Sequence, residues 1–225
     1  MKTKKFNCAP SLDSSVELPN REQVQDICQG LKGKVVNQVF LIDDLVYLIG
    51  KFISRKFRVS TLHAQAWEVE PTELNINAFY DPEKDELGKP SIELVLVTNP
   101  NDRHLILDET LWNLFVNRLA DSLAHELIHM RQSRARDFIF VESRAYREMD
   151  ENLVYLSDLD EIDAYAYNIA TELREHLDPL SKLKNPAAVS VNDSINLWAY
   201  MQAFSKDIKS PPIKRLLKKV YKHLT

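Results

Sequence analysis

The chain has 225 residues, of which 44% are hydrophobic and 28% charged, so its composition is that of a globular protein rather than a disordered one. Only 4 Gly and 10 Pro are present, which excludes a Gly-rich phosphate loop and a low-complexity linker, and no repeat recurs at a solenoid period. The net charge of −4 argues against a general nucleic-acid binder, but it is uneven: Lys206, Lys209, Lys214, Arg215, Lys218, Lys219 and Lys222 face only Asp207 in the last stretch.

Residues 1–19 read as irregular, with a basic start but no apolar core of the kind a signal peptide needs. Cys8 and Cys28 stand in no metal-ligand spacing, and two cysteines do not make a disulfide framework. Asn20 with Gln23 predicts a helix start, running to about Leu31. A longer amphipathic helix is expected over Val36–Lys56, where Leu41, Leu45, Leu48, Ile49 and Phe52 recur at helical spacing. Its apolar run is interrupted by Asp43, Asp44 and Lys51, so no membrane span is predicted.

The period then changes to two, predicting strands at Arg58–Glu70, Glu73–Tyr80 and Ile92–Thr98, with Asp81–Pro90 as an exposed turn. From Asp108, a plausible N-cap, the pattern is almost wholly helical. Leu111, Phe115, Leu119 and Leu123 form a ladder leading into His125. A loop over Arg136–Asp160, a helix over Asp160–Leu177 and a connection between Pro179 and Pro186 follow. Asn192 or Asp193 is expected to cap a helix through Phe204, and a basic helix ends the chain. The layout is α+β with its sheet in the N-terminal half, in three segments: 1–19, a main domain over 20–205, and the basic helix 206–225.

The chemistry lies in His125-Glu126-Leu127-Ile128-His129. Two histidines four apart on a helix share a face, so their imidazoles can converge on one ion. Zinc suits such ligands, and a catalytic site needs a third protein ligand plus water. Zinc lowers the pKa of that water towards about 7, and Glu126 is placed to act as general base and then to protonate the leaving group. The surrounding apolar residues are those of a buried helix, where two histidines and a glutamate need something to satisfy them.

The third ligand is sought in Asp160-Glu161-Ile162-Asp163-Ala164-Tyr165-Ala166-Tyr167-Asn168. Glu161 shares a helix face with Ala164, Tyr165 and Asn168, while Asp163, the rival, points to another side. Gln132, one turn past His129, is a candidate to orient a ligand, and Asp121, one turn before His125, a candidate acceptor for a ligand's second ring N–H. Tyr155, Tyr165 and His176 are candidate donors to a developing oxyanion. His63, His104 and His223 lack partners at ligand spacing.

HELIH followed by this Glu-x-x-Ala helix resembles the gluzincin class of zinc metallopeptidases. The segment Glu-Ile-Asp-Ala-Tyr-Ala is similar to uncharacterised phage-encoded peptidase-like proteins and, more loosely, to ImmA/IrrE-like peptidases. The likeness covers about Leu105–Leu177 and continues weakly into the C-terminal helices. It implies a zincin-like fold, peptide-bond hydrolysis on a protein or peptide substrate, His125, His129 and Glu161 as zinc ligands, and Glu126 as base. It also implies a cytoplasmic setting, or a host cytoplasm or virion if the chain is phage-encoded. The alternatives are a catalytically silent binding or virion structural protein of the same fold, and a hydrolase of non-peptide amides.

Two surfaces carry open readings. Ile92–Val97 is either an edge strand that pairs with extended substrate or a buried core strand. The C-terminal helix, with Ile213, Leu216, Leu217, Val220, Tyr221 and Leu224 opposite its lysines, either packs on its own domain or lies on nucleic acid or an anionic membrane.

Overall fold

The computed structural model describes residues 17–19, 21–139 and 150–225. The expected irregular segment up to residue 16, the cap residue Asn20, Cys8 and residues 140–149 of the expected loop lie outside them. The chain divides into two compact units, Met1–Ile139 and Phe140–Thr225.

In the first unit, α1 (Arg21–Val35) buries Val24, Cys28, Leu31 and Val35, one stripe at helical spacing. It runs four residues beyond the expected end. The predicted helix from Val36 is in fact a short strand, β1 (Val39–Leu41), followed by α2 (Ile42–Phe57). Val39 and Phe40 are β-formers too few to show a period, so the apolar pattern of α2 absorbed them. Arg58 closes α2 in the left-handed region, φ 55, with its N–H on the Ser54 carbonyl.

The three predicted strands are present as β2 (Val59–Gln65), β3 (Leu74–Tyr80) and β4 (Ile92–Thr98). The sheet order is β2-β4-β3, with β4 parallel to β2 and antiparallel to β3. Strand β4 is therefore central, and Ile92, Leu94 and Leu96 are fully buried. Both its edges are occupied, so of the two readings of Ile92–Val97 the core strand holds and substrate pairing on it does not. Helix α2 packs on β2 closely enough that a Cβ on Gly50 would run into the Thr61 hydroxyl.

The expected turn Asp81–Pro90 contains a one-turn helix, α3 (Pro82–Glu86), capped by the Asp81 carboxylate with Pro82 in its first turn. An unpredicted strand β5 (His104–Ile106) pairs antiparallel with β1. Then comes α4 (Glu109–Arg134), 26 residues long, capped as expected by Asp108, whose carboxylate accepts from Leu111 N–H at 2.8 Å. The ladder residues Phe115, Leu119 and Leu123 enter the core with Val24, Leu31, Ile49, Ile92 and Leu94, whereas Leu111 is exposed.

The second unit is helical. The expected loop before Asp160 holds a two-turn helix, α5 (Glu151–Ser157), capped by Asp150. Next is α6 (Leu159–Leu173), with the Asp158 carboxylate on Asp160 N–H at 2.8 Å. The connection between Pro179 and Pro186 is the short helix α7 (Pro179–Lys184), and a 3-10 turn follows at Pro186–Ala188. Helix α8 (Ile195–Ala203) is capped by Ser194, not Asn192 or Asp193. Asp193 instead holds Ser190 and Lys182. The last helix, α9 (Pro211–Leu224), packs on α6, with Ile213, Leu216 and Val220 buried beside Ile162, Ile169 and Leu173. Its apolar face is thus taken up by its own unit. Among the described residues, no helix is long and apolar enough to cross a membrane.

Candidate metal centre

Helix α4 is buried around much of its second half, which is why polar residues there are informative. His125 and Glu126 are each 8% exposed, and His129 is half-buried. The two imidazoles meet edge to face with ring centroids 4.8 Å apart, as the four-residue spacing requires. The His129 Nδ1 lies 3.0 Å from the Gln132 amide oxygen. That oxygen only accepts, so Nδ1 carries the hydrogen and Nε2 keeps its lone pair. Gln132 therefore contacts His129, the residue that the sequence suggested it could orient.

Asp121, one turn before His125, is gripped by Arg21 of α1, with Nε at 3.1 Å and the second guanidinium nitrogen at 2.7 Å. This paired grip fixes α1 against α4 just upstream of the histidines. Just downstream, Arg134 takes both oxygens of Asp85 at 2.7 and 2.6 Å, and the Tyr80 hydroxyl donates to the same carboxylate at 3.0 Å. Burial, more than the neighbouring carboxylate, pushes the Tyr80 phenol well above its ordinary pKa. None of Arg21, Asp85 or Arg134 was marked by sequence reasoning. Their pairings span 100 and 49 residues, and no local pattern signals them.

In the second unit, Glu161 lies half-buried in the first turn of α6. Ala164, three residues on, is fully buried, and Asn168 is 5% exposed. The Tyr155 hydroxyl is held by Glu161 and Tyr165, and burial together with the Glu161 charge drives its pKa far upward. Tyr165 meets the rings of Tyr155 and Tyr200 edge-on, with centroids at 6.5 and 5.1 Å. Tyr200 of α8, which the sequence did not single out, is 1% exposed, and its hydroxyl has no hydrogen-bond partner among the described residues. Asp158 is raised above the usual carboxylate range, first by burial.

The rival residue Asp163 is engaged elsewhere: its carboxylate pairs with Lys219 of α9 at 2.6 Å. His176 donates from Nε2 to the Asp193 carbonyl at 2.8 Å, which makes it a brace between α6 and the α8 cap. Two of the remaining histidines are also occupied. His63 bridges Asp43 and Thr98, each at 2.9 Å, and His223 packs edge-on against Tyr167, its pKa lowered by burial.

In the first unit, His125 and His129 of α4 each offer an imidazole nitrogen, and in the second, Glu161 of α6 offers a carboxylate oxygen. Two imidazole nitrogens and a carboxylate oxygen are donor types that zinc accepts. The chain matches no protein-family model, no curated protein and no solved structure.

Proposed function

We propose that the protein is a zinc-dependent peptidase of gluzincin type, with His125, His129 and Glu161 as ligands and Glu126 as general base. The observation that carries this reading is the pair of imidazoles 4.8 Å apart on the buried second half of α4, with the buried Glu126 next to the first of them. The donor set fits the ion in type and number, and the Gln132 contact leaves Nε2 of His129 available to it.

When bound, zinc supplies a Lewis acid and lowers the pKa of a water molecule towards about 7. Glu126 would act as the general base, accepting a proton from a water molecule that attacks the substrate carbonyl. The same carboxyl group then delivers the proton to the departing amine nitrogen. Burial of Glu126 at 8% exposure keeps bulk water from competing for this exchange. Tyr155, hydrogen-bonded to Glu161, holds the third ligand in place.

The test measures bound metal and peptidase activity on a quenched fluorogenic peptide mixture. Wild type is expected to hold one zinc per chain. Glu126→Gln keeps the metal and loses at least about a thousandfold in turnover, in line with removal of a general base. Glu161→Ala loses metal, whereas Asp163→Ala keeps it. Absence of stoichiometric zinc in wild type ends the proposal, and metal loss in Asp163→Ala alone reassigns the third ligand.

A further inference from the structure

Helix α9 divides into two faces. Ile213, Leu216 and Val220 are fully buried in the core of the second unit. Lys214, Arg215, Lys218 and Lys222 are exposed on the other side, and Lys206 and Lys209 are exposed on the segment leading into it. The one acid of this stretch, Asp207, is exposed and accepts from Lys209 N–H at 2.9 Å. Lys219, the exception among the bases, is neutralised by Asp163. Lys184 of α7, which packs beside α9, is exposed as well.

We infer that this exposed basic face is a docking surface for the phosphate backbone of nucleic acid. Lys214, Lys218 and Lys222 recur at four-residue intervals, so their positions step about 6 Å along the axis. A periodic row of cations suits a repeating polyanion better than a folded acidic surface, whose carboxylates keep no fixed repeat. Tyr221, 54% exposed next to Lys222, adds a ring on which an unpaired base can stack. A lipid surface is the poorer fit. An interfacial helix must sink its apolar face into the bilayer, and in α9 that face is already buried in protein.

The rest of the chain does not cancel this field. The stretch from Lys206 on carries a net +6, so the remaining residues carry −10 of the total of −4. At physiological ionic strength charges act over only about 8 Å, so a phosphate on α9 responds chiefly to α9.

The test uses the full chain and a fluorescein-labelled mixed-sequence DNA, 20-mer single strand and duplex, read by anisotropy across a salt series. Binding is expected in roughly the 10⁻⁴–10⁻⁶ M range at physiological salt, without sequence preference, and weakening steeply as salt rises. The triple variant Lys214→Gln/Lys218→Gln/Lys222→Gln is expected to lose at least tenfold in affinity and to flatten the salt slope by about one unit per lysine. The matching Lys→Arg triple keeps binding, as does Lys34→Gln/Lys51→Gln/Lys89→Gln, which removes equal charge from exposed sites elsewhere. Gln variants leave the buried face of α9 untouched, and circular dichroism verifies that they are folded. The inference is overturned if wild type shows no DNA binding at 50 mM salt, or if both Gln triples bind alike. It is equally overturned if vesicles of 30% phosphatidylserine bind the chain more tightly than either DNA does.

Discussion

Replacing Gln132 by Leu removes one contact from the candidate centre while keeping the volume of the side chain. Gln132 is 4% exposed, and its amide oxygen stands 3.0 Å from Nδ1 of His129. Without that acceptor, the imidazole loses the contact that places the hydrogen on Nδ1. Orienting contacts of this kind change metal affinity by about 10- to 100-fold, which is about 1.4–2.7 kcal/mol. The cost to folding should be smaller, about 1 kcal/mol, because the half-buried His129 can turn its N–H to water. The assay is zinc competition against a chromophoric chelator at fixed pH, paired with thermal melts. Gln132→Leu should bind at least tenfold more weakly with a modest loss in Tm, whereas Gln132→Glu, which keeps an acceptor, should bind at least as well as wild type. An unchanged affinity in Gln132→Leu would refute the assignment of Gln132 as an orienting residue.

Two further outcomes concern the scaffold. Cys28 is 1% exposed, and burial raises its thiol from 9.0 to about 11. Folding holds that proton on, so the unfolded chain ionises first and stability falls as pH rises between those values. Two pH units at about 1.4 kcal/mol each set a ceiling near 2.7 kcal/mol for this group. Urea midpoints at pH 8 and pH 10.5 should therefore diverge more in wild type than in Cys28→Ala, and equal divergence would clear Cys28 of any part in it. Asp85→Ala removes the buried carboxylate shared by the Arg134 guanidinium and the Tyr80 hydroxyl. The Asp85 side chain is 2% exposed but that of Arg134 is 28% exposed, so the loss should sit at the low end of broken buried pairs, about 3 kcal/mol. A loss under about 1 kcal/mol in equilibrium unfolding would mean that the pair is not carried in solution.

The sequence made α4 and the sheet strands readable because each has a strong period and a local stop signal. Asp108 caps α4, and Leu74–Tyr80 alternates between half-buried and exposed positions. Strands of three residues such as β1 and β5 complete no period, and α3, α5 and α7 are single or double turns inside charged or Pro-containing segments. The central position of β4 is a matter of neighbours, although its nearly continuous apolar run was a hint of burial on both faces. At the candidate centre, His125, Glu126, His129 and Gln132 share one helix, and spacing alone exposes their relation. Choosing between Glu161 and Asp163 depends on a contact with Lys219, 56 positions further along the chain from Asp163, which no local pattern encodes. The cap of α8 was misread for a related reason. Asp193 is a strong capping residue by type, but Ser190 and Lys182 had already claimed its oxygens.

The paired grips at Asp121 and Arg134 stand 13 residues apart on α4, about 20 Å along its axis, with both histidines between them. Any bend that changed the spacing of the imidazoles would have to break one grip. On the proposed reading, the helix would hold its histidines in place with or without an ion, in contrast to small zinc modules that fold only around their metal. Dialysis against EDTA should then leave the far-ultraviolet spectrum of the protein nearly unchanged, and adding the ion back should restore the loaded form without a refolding step. The two histidines would then be offered to any divalent ion at a spacing that the helix sets beforehand.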